Sequence, residues 1–178
     1  MNVSRLNMSI GDRLMARREM HAEVQNSGHC LVVFTIQDQR YALRLPAVER
    51  VVQAVELTPL PGAPEIVLGV FNLEGRVVPV VDVRRRFHLP RREVRLTDQL
   101  LVAHTASMSL GLLADRVDGL IEPEEHEIVQ AEALLPGLRY VAGIATFADG
   151  LILIHDLATF LSLEEKRRLR DAMGGNKL

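Results

Sequence analysis

The sequence predicts an all-β protein organised as two small β-barrels, with short helical turns and one C-terminal helix. Three observations carry this expectation. Short aliphatic and β-branched runs alternate with turns rich in Gly, Pro and polar residues throughout Cys30–Asp156. One element occurs twice: Gly69–Asp82 reads GVFNLEGRVVPVVD, and 74 positions later Gly143–Asp156 reads GIATFADGLILIHD. The stretch ahead of it also recurs, with Leu31–Val52 aligning to Leu100–Ile121 at an offset of 69. Closing the edges of so many short strands favours barrels, and a single β-sandwich is the rival arrangement.

Residues 1–28 are polar and carry no strand pattern. Ser9 ahead of Ile10, Leu14 and Met15 reads either as a capped amphipathic helix or as a frayed leader. From Cys30 onward, Leu31–Ile36 is a strand, Gln37–Arg40 a tight polar turn and Tyr41–Leu45 the returning strand. Pro46 opens a turn, after which Val48, Val51 and Val52 continue the apolar pattern. Leu57–Pro64 (LTPLPGAP) holds three prolines and a glycine and reads as a stiff connector.

Gly69–Asp82 then folds as a hairpin, because β-branched residues flank a turn at Asn72–Gly75. Gly69 and Gly75 are expected to serve tight turns. Pro79 withholds a ladder donor, which predicts an edge or a bulge. Asp82 caps a short helical turn, Val83–Phe87, its carboxylate accepting from unpaired N–H groups. Arg84, Arg85, Arg86, Arg91 and Arg92 form a basic loop around Pro90.

Leu100–His104 and Leu110–Ala114 make the next hairpin, Val117, Leu120 and Ile121 continue it, and Glu122–Glu127 is an acidic loop. Tyr140–Phe147 and Leu151–His155 repeat the earlier hairpin, with Asp156 as the cap of a second short helix. Ser162-Leu163-Glu164-Glu165 is a capping-box signature that opens a C-terminal helix. Basic residues after it suit the negative end of the helix dipole, and Gly174-Gly175 stop it. The division expected is an extension over 1–28, a core over 29–162 with pseudo-repeats at about 30–88 and 99–161, and a helix and tail over 163–178.

Composition narrows the function classes. Hydrophobic residues make up 48% of the 178, enough for a packed core, while aromatics are 4% and Trp is absent, so the core is Val, Leu, Ile and Ala. The net charge of −2 gives no global reason to expect nucleic acid as a partner. The single cysteine, Cys30, rules out an internal disulfide framework and fits a reducing, cytoplasmic setting. No apolar run is long enough to span a membrane, and no signal peptide is read at the N-terminus.

No motif for catalysis stands out. A P-loop, HExxH, nucleophile elbow and paired CxxC are all missing. His155 and Asp156 are neighbours, but adjacent strand residues face opposite sides, so His155 reads as structural. His29-Cys30 could seed a thiolate pair, yet Cys30 begins an apolar strand and reads as core. The other histidines have no ligand spacing, so no metal and no cofactor are expected. The basic segments Arg84–Arg92 and Lys166–Arg170 leave one alternative, a β-barrel nucleic-acid binder, although they lack interleaved aromatics.

Taken together, ALRLPAVERVV, LTPLPGAP, LGVFNLEGRVVPVVDVRRRF, GLLADRVDGL and VAGIATFADGLILIHDLATFL resemble the CheW-like chemotaxis coupling proteins, over about residues 30–162 in order. The resemblance implies two SH3-like five-stranded barrels around a shared apolar seam. It implies a non-enzymatic adaptor, cytoplasmic and associated with membrane receptor arrays. One surface would bind the regulatory domain of a CheA-type histidine kinase, and a groove between the barrels would take the cytoplasmic tip of a methyl-accepting chemoreceptor. The barrels would exchange terminal strands. Carried onto this chain, the partner-binding positions are Val48, Arg50, Val51, Gly69, Val70, Asn72, Glu74, Gly75 and Val117.

One departure from the family pattern stands out. The family usually reads V-x-E-V and N-L-R-G, whereas this chain has Val48-Glu49-Arg50-Val51 and Asn72-Leu73-Glu74-Gly75. Acid and base have changed places. If the two positions face each other, an opposite-charge pair survives with its polarity reversed, either as a specificity device or as neutral drift at a surface pair.

Overall fold

The computed structural model describes residues 30–124, 127–130 and 140–174. The expected N-terminal helix and His29 lie outside them. Eleven strands and two α-helices are described, with one 3-10 turn (Leu45–Ala47) after the second strand: β1 (Leu31–Ile36), β2 (Gln39–Arg44), β3 (Val48–Gln53), β4 (Val67–Leu73), β5 (Arg76–Val81), α1 (Val83–Arg86), β6 (Gln99–His104), β7 (Ser109–Ala114), β8 (Arg116–Ile121), β9 (Ile128–Gln130), β10 (Val141–Phe147), β11 (Gly150–His155) and α2 (Leu163–Gly174). None of the described helices is long and apolar enough to cross a membrane.

The strands form two sheets. The first runs β8-β1-β2-β11-β10-β9 and the second β3-β6-β7-β5-β4. This corrects the expectation of two SH3-like five-stranded barrels: the first sheet has six strands, and among the described residues neither ladder of backbone hydrogen bonds closes on itself. Each sheet mixes strands from both repeats. The orders correspond strand for strand, with β8, β1, β2, β11 and β10 standing where β3, β6, β7, β5 and β4 stand in the other sheet. The registers agree as well. Gly119 faces Val33 as Arg50 faces Val102, and Ile154 faces Ala42 as Val80 faces Gly111.

Both faces of the central strands are buried, which is why β1 is apolar at every position but Thr35. Val32, Phe34 and Ile36 point into the seam between the sheets with Leu101, Ala103, Leu110, Leu112, Phe160 and Leu169. Leu31 and Val33 point the other way, into the first sheet's own concave face with Ala145, Ile152 and Ile154. The matching face of the second sheet holds Phe71, Leu73, Val78, Val80, Leu100 and Val102. At about 1.5–3 kcal/mol for each fully buried aliphatic side chain, the seam is the largest source of stability.

The local signals fold largely as read. Asp82 caps α1, its Oδ1 accepting from Arg84 N–H at 3.0 Å. Asp156 Oδ1 accepts from Ala158 N–H at 2.8 Å, but residues 157–159 form a turn rather than the expected short helix. Ser162 and Glu165 exchange both capping-box bonds, at 2.7 and 3.1 Å, and open α2. Pro79 sits in a strand that is interior by order. The parallel ladder to β7 begins only at Val80, so the missing donor falls before that ladder starts.

Candidate functional site

At one end of the second sheet, β3 and the β4–β5 turn come together although they belong to opposite edges. The two turn residues, Glu74 (φ 51°) and Gly75 (φ 88°), are both left-handed, the conformation that matches hairpin twist. Gly75 N–H donates to Asn72 Oδ1 at 2.8 Å, which fixes the turn. Across the gap, an irregularity in β3 between Val48 and Arg50 turns two successive charged side chains toward the hairpin. Arg50 Nη1 donates to Glu74 Oε1 at 2.7 Å, and Arg76 Nη2 donates to Glu49 Oε1. Arg50 Nε also lies 3.7 Å from Glu49 Oε1, so the four charges form one chain.

This clasp substitutes for a closing ladder. Its hydrogen bond and the Arg50 charge hold the Glu74 carboxyl below the usual carboxylate range, and the same bond raises Arg50. Glu74 is exposed and Arg50 partly so, and a pair this open to solvent adds little to stability. Glu49 and Arg76 are functional candidates that sequence reasoning missed. Their neighbours were named, but no spacing rule relates β3 to β5 across a curled sheet.

The remaining expected positions fall into two places. Val48, Val51 and Val117 are half-buried and pack on the border of the core between the sheets, so the structure brings them to one seam. Gly69 and Val70 lie beneath the connector. Val70 exchanges both backbone bonds with Thr58, at 2.8 and 2.9 Å. The expectation that Gly69 serves a tight turn is corrected: it lies within β4, and a Cβ there would stand 2.6 Å from the Thr58 carbonyl oxygen. Glycine is required for close approach of two backbones.

Four of the five arginines of the basic loop are paired within the fold, and Arg91 is the one without an ion-pair partner among the described residues. Arg84 Nη2 donates to both carboxylate oxygens of Asp115 at 2.7 and 2.8 Å, Arg92 is bidentate to Asp98 at 2.7 Å and also reaches Asp115, Arg85 pairs with Glu65 and Arg86 with Glu165. Partial burial pushes the Asp115 carboxyl up, but bonds from Arg84, Gln37 N–H and Arg92 outweigh it and hold the group low. The nucleic-acid alternative needed those guanidiniums to be available. His155 is 4% exposed and stacks on Tyr41 and Phe87, away from any surface site. Among the described residues no three His, Cys, Asp or Glu side chains gather to hold a metal ion.

Two curled sheets sharing an apolar seam, with a charged clasp at one end of the second, define an all-β protein of two interleaved sheets. Comparison with known proteins makes the class specific. The CheW-like domain matches residues 31–165. A chemotaxis protein CheW of Treponema pallidum is 23% identical over 85% of this chain and 93% of its own length. The CheW of Rhizobium meliloti is 28% identical over 79% of this chain and 92% of its own. The crystal structure of the scaffolding protein TtCheW from Thermoanaerobacter tengcongensis superimposes with a TM-score of 0.70 at 27% identity, covering 78% of this chain and 95% of that one. The chain belongs to the CheW-like family of chemotaxis coupling proteins.

Proposed function

We propose that this chain joins the cytoplasmic tip of a methyl-accepting chemoreceptor to the regulatory domain of a CheA-type histidine kinase, and does no chemistry itself. The kinase docks on the clasp end of the second sheet, over Arg50, Glu74 and the backbone held by Gly69, Val70, Asn72 and Gly75. The receptor tip lies along the seam, where Val48, Val51 and Val117 offer half-buried apolar surface. It works at the cytoplasmic face of receptor arrays. The repeats over 30–88 and 99–161 are the two halves of this scaffold, and they trade strands between the sheets.

The observation that supports the reading most is the 2.7 Å contact between Arg50 and Glu74. The family's usual charges are reversed at both positions, and the two residues touch, so a swap at one is compensated at the other. The stability gain of such an exposed pair is only about 0–1 kcal/mol. Its effect on a partner is larger, because like charges brought together across an interface cost several kcal/mol. The reversed clasp therefore directs this chain to its own kinase and away from kinases served by coupling proteins of ordinary polarity.

The test is titration of the cognate kinase regulatory domain against the wild type, Arg50→Glu, Glu74→Arg and the double reversal. Each reversal, single or double, should weaken binding of the cognate domain by about tenfold or more, and the double should gain binding to the regulatory domain of a kinase served by a coupling protein of ordinary polarity. A double reversal that binds the cognate domain as the wild type does, or that gains no binding to the other domain, sinks the specificity reading. A wild type that does not bind the domain at all sinks the kinase assignment.

A further inference from the structure

Among the described residues the chain passes from one sheet to the other at two places, Leu45–Ala47 between β2 and β3 and Asp115 between β7 and β8. The offset of 69 between the repeats sets Pro46 against Asp115. At the first crossing a proline stiffens a single 3-10 turn. At the second a single residue makes the crossing, and its side chain is charged.

Asp115 is tied to both sheets. On the side of the first, its N–H donates to the Thr35 carbonyl at 3.0 Å and its Oδ2 accepts from Gln37 N–H at 2.7 Å. Gln37 takes φ 58°, a left-handed value uncommon outside glycine, and the bond to Asp115 holds its N–H in place. On the side of the second sheet, Arg84 Nη2 donates to both carboxylate oxygens and Arg92 Nη2 reaches Oδ1. Arg84 stands on α1, directly after β5, and is 7% exposed. Arg92 is held in turn by Asp98, which is 1% exposed and leads into β6. Two residues on from Asp115, Val117 N–H of β8 donates to Gln99 Oε1 of β6 at 2.5 Å. Burial of aliphatic side chains in the seam holds the sheets together but is non-directional. Charge-assisted hydrogen bonds add a fixed geometry.

We propose that Asp115 is a positioning residue that locks the angle between the two sheets, with Arg84 and Arg92 as its bolts. The angle sets the width of the seam border, since Val117 lies on β8 in the first sheet and Val48 and Val51 on β3 in the second. Released, the sheets turn about their two crossings and the border loses its fixed width. The clasp is untouched by this, because Glu49, Arg50, Glu74 and Arg76 all belong to the second sheet and its β4–β5 turn. The consequence for a receptor tip rests on the seam reading given above, whereas the lock itself does not.

The lock is read as a distance. Spin labels at Leu151→Cys on β11 and Val77→Cys on β5, exposed positions on different sheets, are placed in the full chain with Cys30→Ala. Pulsed electron–electron resonance should give one narrow distance distribution, and Asp115→Asn should broaden it. Asp149→Asn, which removes an ion pair to Arg40 within the first sheet, should leave it unchanged. Arg92→Lys keeps the charge but has no planar fork to hold Asp98 and Asp115 together, and it carries the test if Asp115→Asn does not fold. In titrations of the unlabelled protein, Asp115→Asn should bind a coiled-coil fragment of the receptor tip about tenfold more weakly and the kinase regulatory domain as wild type does. A distribution that stays as narrow as wild type, or that Asp149→Asn broadens equally, would overturn the lock. Kinase binding lost in step with receptor binding would overturn it too, by showing a general loss of structure. A wild type that binds no receptor tip sinks the seam reading alone, and the distances still decide the lock.

Discussion

His155 shows how a single residue sets a condition on the whole fold. Its Nδ1–H donates to the Tyr140 carbonyl at 2.9 Å, while Nε2 is buried with no partner among the described residues, beside the rings of Tyr41, Phe87 and Phe160. Burial holds its pKa down to about 4 against 6.5 for a free imidazole. The folded state therefore needs the neutral ring. The stability this residue protects is complete above about pH 6.5 and is lost as pH falls toward 4, by roughly 3 kcal/mol in all. Urea midpoints of the wild type and His155→Phe should diverge over that window, the wild type losing ground; a gap that stays constant with pH would contradict the assignment. Gly69 sets a condition of a different kind. Gly69→Ala should cost about 2 kcal/mol or more, because the Thr58 carbonyl has nowhere to go. Gly75→Ala meets open space and should cost only about 1 kcal/mol through its left-handed backbone. Chemical denaturation of the two variants compares them directly.

At the scale of elements, α2 is the clearest case of a helix that belongs to the fold rather than trailing from it. Its capping box is complete, Leu169 is fully buried in the seam, and Glu165 receives Arg86 at 2.7 Å while the Arg86 guanidinium lies over the Tyr140 and Phe160 rings. Leu169→Ala should destabilise the whole protein by about 2–5 kcal/mol, in one cooperative transition. A variant that merely frays, with the melting of the sheets unchanged, would show that α2 is an appendage. The β4–β5 hairpin shows what an element can and cannot announce. Its turn chemistry was legible at Asn72–Gly75, since Asn72 supplies the acceptor and Gly75 the left-handed φ. The role of Gly69 was not, because the backbone that crowds it comes from the connector and no local pattern signals its approach.

For the molecule as a whole, the exchange of strands makes the two repeats inseparable. The first sheet takes β1 and β2 from the first repeat and β8, β10 and β11 from the second, and the second sheet does the converse. A fragment of residues 30–88 or of 89–178 exposes both of its half-built concave faces and should not fold alone. Mixed in equal amounts, the two should regain β structure and a single melting transition by circular dichroism. A cooperative transition in either fragment by itself would refute this. The duplication was readable from the recurring spacings 69 and 74, whereas the shared seam was expected only from the family resemblance.

Alternation, turn residues and caps act within a few positions of the chain, so the sequence by itself determined where strands begin, which side chains share a face, and that the pattern occurs twice. It carried the family resemblance through the same local spellings. Strand partnership is decided by contacts between residues far apart in the chain, where many pairings satisfy the same alternation. Only the tertiary structure could show which strands the repeats exchange and that Glu49 and Arg76 complete a clasp across a curled sheet.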